Sequence, residues 1–152
     1  MNTEATGTTT GTLIVGVDGS PDAARALDWA IDEAHRRAMR VLLVHGVEVG
    51  AAAASPYGTG MVMEQLEEAG RMVLAEAEQR VTAAGLEVDT VMEVGSAAHA
   101  LIEASRGGQL LVVGSRGHGG FVGLLLGSVS AACTHHAHCP VVVIRPEASK
   151  AA

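Results

Sequence analysis

The sequence predicts an α/β fold: a three-layer αβα sandwich whose five-stranded parallel sheet is flanked by four helices. The apolar run at residues 13–17 is too continuous to leave a solvent face, as expected of a central parallel strand, and residues 41–47, 110–113 and 141–144 read as further apolar strands. Between them lie segments whose apolar residues recur three and four positions apart. Strands alternating with helices close into a parallel sheet through right-handed crossovers. Composition agrees, because 48% of residues are hydrophobic but only 2% aromatic, so Ala, Val and Leu must build the core. A chain of 152 residues suits one domain, read as residues 12–146 between polar tails at 1–11 and 147–152.

The first strand, 13–17, ends at Asp18-Gly19-Ser20-Pro21-Asp22. Ser20 reads as an N-cap, Pro21 as the first helical residue and Asp22 as a favourable charge in the first turn. Helical spacing predicts a buried face of Ala24, Leu27, Ile31, Ala34 and Ala38, with Arg36, Arg37 and Arg40 near the C-terminus. Residues 41–47 form the second strand. The Ala-, Gly-, Ser- and Pro-containing stretch 48–60 reads as a mobile loop that borders a ligand site as a partial lid. A second helix, 61–84, presents Val62, Leu66, Ala69, Val73, Ala77 and Val81, with Gly70 weakening its middle. Residues 86–94 read as a third strand nearer an edge, and 97–106 as a third helix closed by Gly107-Gly108. Then come the fourth strand, a glycine-rich loop, a fourth helix from Ser128 to about His138, and a fifth strand, 141–144, limited by Pro146.

The loop carries the chemistry. Gly114-Ser115-Arg116-Gly117 follows the fourth strand, and nine residues later Gly127-Ser128 opens the fourth helix. Glycines let the backbone approach a ligand closely, and the first N–H groups of a helix lack internal partners, so the arrangement suits phosphate. A Walker A loop is excluded because no Lys follows Gly127, and the dinucleotide fingerprint fails on the spacing of Gly117, Gly119 and Gly123. The N–H groups of Gly117, Gly127, Ser128 and Val129 are expected at the phosphate oxygens. The Ser128 hydroxyl is expected to help from the N-cap position, and Ser130 to lie near the polyphosphate. Arg116 and His118 either offset phosphate charge or face solvent.

The spacing Gly-xx-Gly-x9-Gly-Ser resembles the nucleotide-binding signature of the universal stress protein family, which Gly114, Gly117, Gly127 and Ser128 match position for position. The likeness extends to Ile14-Val15-Gly16-Val17-Asp18-Gly19-Ser20 and to Cys139-Pro140-Val141-Val142-Val143-Ile144, covering about residues 13–145. It implies the strand order 3-2-1-4-5, in which strands one and four are neighbours whose following helices leave on opposite faces. A crevice opens beyond the C-terminal ends of such strands. Asp18 and Gly114 would then converge there. The resemblance further implies ATP or another adenine nucleotide, with Mg, as the ligand. It puts Asp18 near adenine and ribose, and Val113 with residues near His45 and Gly46 around the base. A bulkier aliphatic residue is usual where Gly46 falls, which implies weaker adenine packing. Taken alone, the Asp18 side chain reads equally well as an Asx-turn that ends the strand.

Other functions are less well supported. Net charge is −7 with scattered basic residues, and Phe, Tyr and Trp occur once each, which argues against nucleic acid. No apolar run approaches the roughly 20 residues of a membrane span. Two cysteines without an export signal predict a cytoplasmic protein with reduced thiols. The cluster Cys133-Thr134-His135-His136-Ala137-His138-Cys139 suggests a metal, but helical geometry points its ligands apart, and the histidines suit an exposed helix end. No catalytic residues are assigned. A phosphotransferase needs a positioned base and cations on the phosphate, so a nucleotide-responsive regulator is favoured over an enzyme. A slow ATPase supported by Asp18 and a pairing module without nucleotide stay open as alternatives. The last strand, Val141, Val142, Val143 and Ile144, is the expected homodimer seam, since a bare apolar edge invites pairing and the resemblance implies such dimers.

Overall fold

The structure, a computed structural model, describes residues 10–50, 59–117 and 125–147. Strand β1 is Thr12–Gly16, helix α1 Pro21–Arg37, β2 Arg40–Val47, α2 Thr59–Ala83, β3 Val88–Val94, α3 Ala97–Ala104, β4 Leu110–Gly114, α4 Ser128–His136 and β5 Val141–Ile144. The strands form one parallel sheet in the order β3-β2-β1-β4-β5. In register, Leu13 of β1 lies between Val41 of β2 and Leu110 of β4. The expected fold class and strand order are therefore present.

Alternate strand residues point to opposite faces, which divides the core in two. Leu13, Val15, Val41, Leu43, Leu110 and Val112 face α1 and α2, meeting Ala26, Leu27, Ala30, Leu74, Ala77 and Val81. Ile14, Val44, Leu111 and Val113 face α3 and α4, meeting Ala100, Leu101 and Cys133. Among the described residues the first cluster is the larger. Helix α1 follows β1 on one face and α4 follows β4 on the other, so the reversal of winding falls between the two central strands.

Helix α1 starts as read: the Ser20 side chain accepts from the Ala23 N–H at 3.2 Å, Pro21 is the first helical residue and Asp22 lies in the first turn. Its buried face differs from the expectation. Ala23, Ala26, Leu27, Ala30 and Ala34 are buried, whereas Ala24 is exposed. Ala38 does not continue the face, because it closes the helix in the left-handed region at φ 53°. Alanine is compatible with either environment, so a helix with many alanines marks its inner stripe weakly. Helix α2 shows the same shift: Ala69 is exposed while Gly70 and Leu74 are buried. A Cβ on Gly70 would lie 2.8 Å from the His45 ring and 2.9 Å from Met92 Sδ, so the glycine that weakens the helix also lets it settle on β2 and β3.

The third helix is shorter than read. It gives way at Ser105–Gly107 to a 3₁₀ turn, and Gly108 takes an extended φ of −104° instead of a left-handed cap. The buried Ser105 explains the change: its Oγ donates to the Ile102 carbonyl at 2.5 Å and accepts from the His138 N–H at 2.9 Å, tying this turn to the end of α4. Helix α4 ends at His136, two residues early, with Ala137 as an extended C-cap. The expected lid at 48–60 falls largely outside the described residues.

Candidate functional site

The C-terminal ends of β1, β2 and β4 open into a cleft of about 880 Å³, within the range of small-molecule sites. Its wall contains all ten residues singled out by the sequence: Asp18, Gly46, Val113, Gly114, Arg116, Gly117, Gly127, Ser128, Val129 and Ser130. His118 lies outside the described residues.

Asp18 and the glycine loop meet directly. The Asp18 Oδ1 accepts from the Ser20 N–H at 2.8 Å, which is the Asx-turn considered from sequence. Its Oδ2 faces the loop, where a Cβ built on Gly117 would stand 2.7 Å away. The turn role and the place in the cleft thus coexist, one oxygen for each. On the adenine side of the expected layout, His45 Nδ1 lies 2.8 Å from the Val17 carbonyl, so this nitrogen carries the proton and donates. Val113 is buried at the base of the cleft.

Gly46 has a steric duty that the sequence does not reveal. A Cβ there would fall 2.4 Å from Ala97 Cα and 2.8 Å from Ala97 N, so the start of α3 occupies the space of a side chain. Glu48, two residues onward and just past the end of β2, accepts the Ala97 N–H through Oε1 at 3.1 Å, while Ser96 caps the same helix by accepting from the His99 N–H at 3.2 Å. Glu48 also lines the cleft and was not anticipated.

At the phosphate end the helix start differs from the reading. The N-cap is Gly127, extended at φ −75° and ψ 175°, and Ser128 is already the first helical residue. The Ser128 hydroxyl therefore makes no capping bond. Gly127 also does not offer its N–H, which donates to the Ser115 carbonyl at 2.6 Å. Ser130 turns inward: its Oγ donates to the Ser115 carbonyl at 2.6 Å and to the Gly127 carbonyl at 3.1 Å. What remains for an anion is the first turn of α4, where the N–H groups of Ser128, Val129 and Ser130 have no acceptor within the helix.

Ser115 organises this end and was overlooked. Its N–H donates to Ile144 of β5 at 2.8 Å, its carbonyl accepts Gly127 and Ser130, and its Oγ donates to Asp22 Oδ2 at 3.3 Å. One buried residue thus ties β5, both ends of the glycine loop and α1 together. Gly114 permits the last of these ties, since a Cβ there would lie 2.8 Å from the Asp22 backbone. The sequence shows only a serine between two signature glycines, which does not by itself reveal the junction. Arg116 is the one Lys or Arg among the described lining residues, and its Nε lies 4.0 Å from Asp22 Oδ2.

The model of the universal stress protein family matches residues 9–145. The chain belongs to that family. A universal stress protein of Mycolicibacterium smegmatis is 39% identical over 136 residues, which are 88% of this chain and 45% of that protein. The chain spans about half the length of the relatives it matches. Among solved structures, UspA from Lactobacillus plantarum matches with a TM-score of 0.77 at 23% identity, over 90% of this chain and 99% of that one. A universal stress protein in complex with cAMP matches with a TM-score of 0.67 at 28% identity, over 88% of this chain and 95% of that one. Family structures with bound AMP and dAMP match in fold at 22% and 21% identity.

The histidine-cysteine cluster divides between core and surface. Cys133 is fully buried among Ile14, Leu111 and Val113, and burial, with Cys139 nearby, pushes its thiol up to about 11. Burial raises the Cys139 thiol as well. His135 and His136 are exposed on the last turn of α4. No described helix is long and apolar enough to cross a membrane.

Proposed function

We propose that the cleft binds an adenine nucleotide, ATP or a shorter or cyclic relative, and that occupancy alters what the protein docks with. The observation that carries this reading is the convergence of Asp18, Gly117 and the first turn of α4 on one cleft of about 880 Å³. The cAMP complex of a family member at 28% identity supports the same ligand class. In this reading, the N–H groups of Gly117, Ser128 and Val129 take phosphate oxygens, Val113 and the Gly46 strand flank the base, and Asp18 accepts from the ribose or base.

Magnesium would arrive with the phosphates. Among the described residues no group of three or more His, Cys, Asp or Glu side chains is arranged to hold a metal, and magnesium commonly binds through substrate phosphates and one or two carboxylates. Asp18, whose Oδ2 faces Gly117 in the cleft, is a carboxylate that could contribute.

The proposal includes a homodimer through β5. Both sheet edges are open in principle, but β3 carries Asp89 and Glu93, while Val141–Ile144 carries no charge. Charges on an edge discourage pairing and an uncharged apolar edge invites it. Isothermal titration with Mg-ATP, AMP and cAMP tests the nucleotide reading. Weaker binding in Gly117→Ala is expected, because the added Cβ, 2.7 Å from Asp18 Oδ2, must displace that carboxylate within the cleft. Absence of heat and of any thermal shift at millimolar nucleotide rejects the reading.

A further inference from the structure

Asp22 serves three donors and holds them unequally. Its Oδ1 pairs with Arg25 one turn along α1, and its Oδ2 accepts from Ser115 Oγ at 3.3 Å. The Arg116 Nε stands 4.0 Å from the same Oδ2, beyond hydrogen-bond reach. Asp22 is only 8% exposed, so its charge needs compensation, and Arg25 supplies that whether or not Arg116 stays.

Arg116 can leave by its side chain alone. Its backbone lies beside the helix start, where a Cβ on Gly127 would stand 3.4 Å from Arg116 Cα, and the neighbouring Ser115 is fixed by four hydrogen bonds. Its side chain is about one-third exposed and lines the cleft. A planar fork of donors on a flexible stem binds phosphate in two-pronged fashion once it is free to do so.

We propose that Asp22 is a specificity-determining residue that sets how this site weighs a long phosphate tail against a short one. The inference rests on the nucleotide reading. A single phosphate at the first turn of α4 is met by backbone N–H groups and leaves the Asp22–Arg116 pair undisturbed. Phosphates further along the tail compete with Asp22 for Arg116, and the pair must part before they gain its charge. Asp22 therefore lowers the preference for a triphosphate over a monophosphate without itself touching either ligand.

The test compares ATP and AMP binding, by calorimetry with magnesium at one ionic strength, to the unmodified protein, Asp22→Asn, Arg116→Gln and the double variant. Asparagine keeps an acceptor for Ser115 Oγ and removes the charge. The ratio of ATP to AMP association constants is expected to rise about two- to fivefold in Asp22→Asn, the span of a partly exposed ion pair. It is expected to fall in Arg116→Gln, and the Asp22 substitution should have no further effect on the ratio in that background. An unchanged ratio in Asp22→Asn, or an equal rise with and without Arg116, overturns the inference. Should Asp22→Asn fail to fold, an unchanged ratio in Arg116→Gln overturns it equally. Failure of the unmodified protein to bind either nucleotide overturns the nucleotide reading and this inference together, whereas binding of both with an unaltered ratio overturns this inference alone.

Discussion

Gly46→Ala puts the packing of the cleft wall to a quantitative test. The new Cβ would lie 2.4 Å from Ala97 Cα, against backbone that no rotamer change can clear, so the start of α3 must move. Overpacking of this kind costs about 1–3 kcal/mol, and a contact with backbone belongs in the upper half of that span. Against it stands the loss of chain freedom in the unfolded state, which favours alanine by about 0.4–1 kcal/mol because the native φ is not left-handed. The net expectation is a loss of about 2 kcal/mol, which for a chain of this size lowers the melting temperature by about 4–8 °C. Displacement of Ala97 also breaks its 3.1 Å bond to Glu48, so the start of the loop after β2 should become more accessible to protease. Circular dichroism melts measure the first effect and limited proteolysis the second. A variant that melts within about 1 °C of the unmodified protein would refute the argument that α3 fills the place of a side chain at this position. By the same geometry, Gly46→Val should weaken nucleotide binding, although it restores the aliphatic bulk usual at this position in the family.

Val143 is only partly buried on β5 but packs against the Ile14 and Leu111 cluster, so Val143→Lys should shift a dimer to monomer in sedimentation velocity, with a thermal melt separating that effect from lost packing. Glu33 is buried, which raises its carboxyl, yet hydrogen bonds and attraction from Arg37 and Arg36 outweigh that and hold it below its ordinary value. A lowered carboxylate stabilises the fold above its unfolded value and loses that contribution as pH falls through the folded one. Glu33→Gln should therefore be less stable than the unmodified protein in urea at neutral pH, with the gap closing as pH falls below the ordinary carboxylate range. Iodoacetamide at about pH 8 should modify Cys139 slowly and Cys133 only in denaturant, since the buried Cys133 thiol titrates at about 11. Rapid labelling of Cys133 in the native protein, read by mass spectrometry, would contradict its burial.

The sheet was legible because its signals are strong. Runs such as residues 110–113 have no polar side to turn to water, and only a strand covered twice accommodates them. Ser20-Pro21-Asp22 announces a helix start by three separate mechanisms, and all three are observed. Helix faces were harder to read: in α1, Ala23 and Ala24 are adjacent and identical, and only packing shows that the first is buried. Ten residues of the cleft wall could be named from the sequence, but Glu48 and the use of each N–H could not. Gly127 and Ser128 exchange the expected capping role by one position, because the Ser115 carbonyl claims the Gly127 N–H. A carbonyl oxygen leaves no trace in a pattern of side chains. Neither the Ser115 junction nor the clash that keeps position 46 bare has a spacing that could reveal it.

Among the described residues, the unequal sharing of apolar bulk between the two faces of the sheet bears on where the molecule breathes. The layer that holds α4 rests on the lighter cluster, so its amide hydrogens should exchange with solvent sooner than those beneath α1 and α2. An anion seated at the first turn of α4 would stiffen that lighter flank most, since stabilisation by a ligand is felt wherever opening would expel it. Under the proposed nucleotide binding, the outer surface of α3 and α4 is then where filling of the cleft would be felt most.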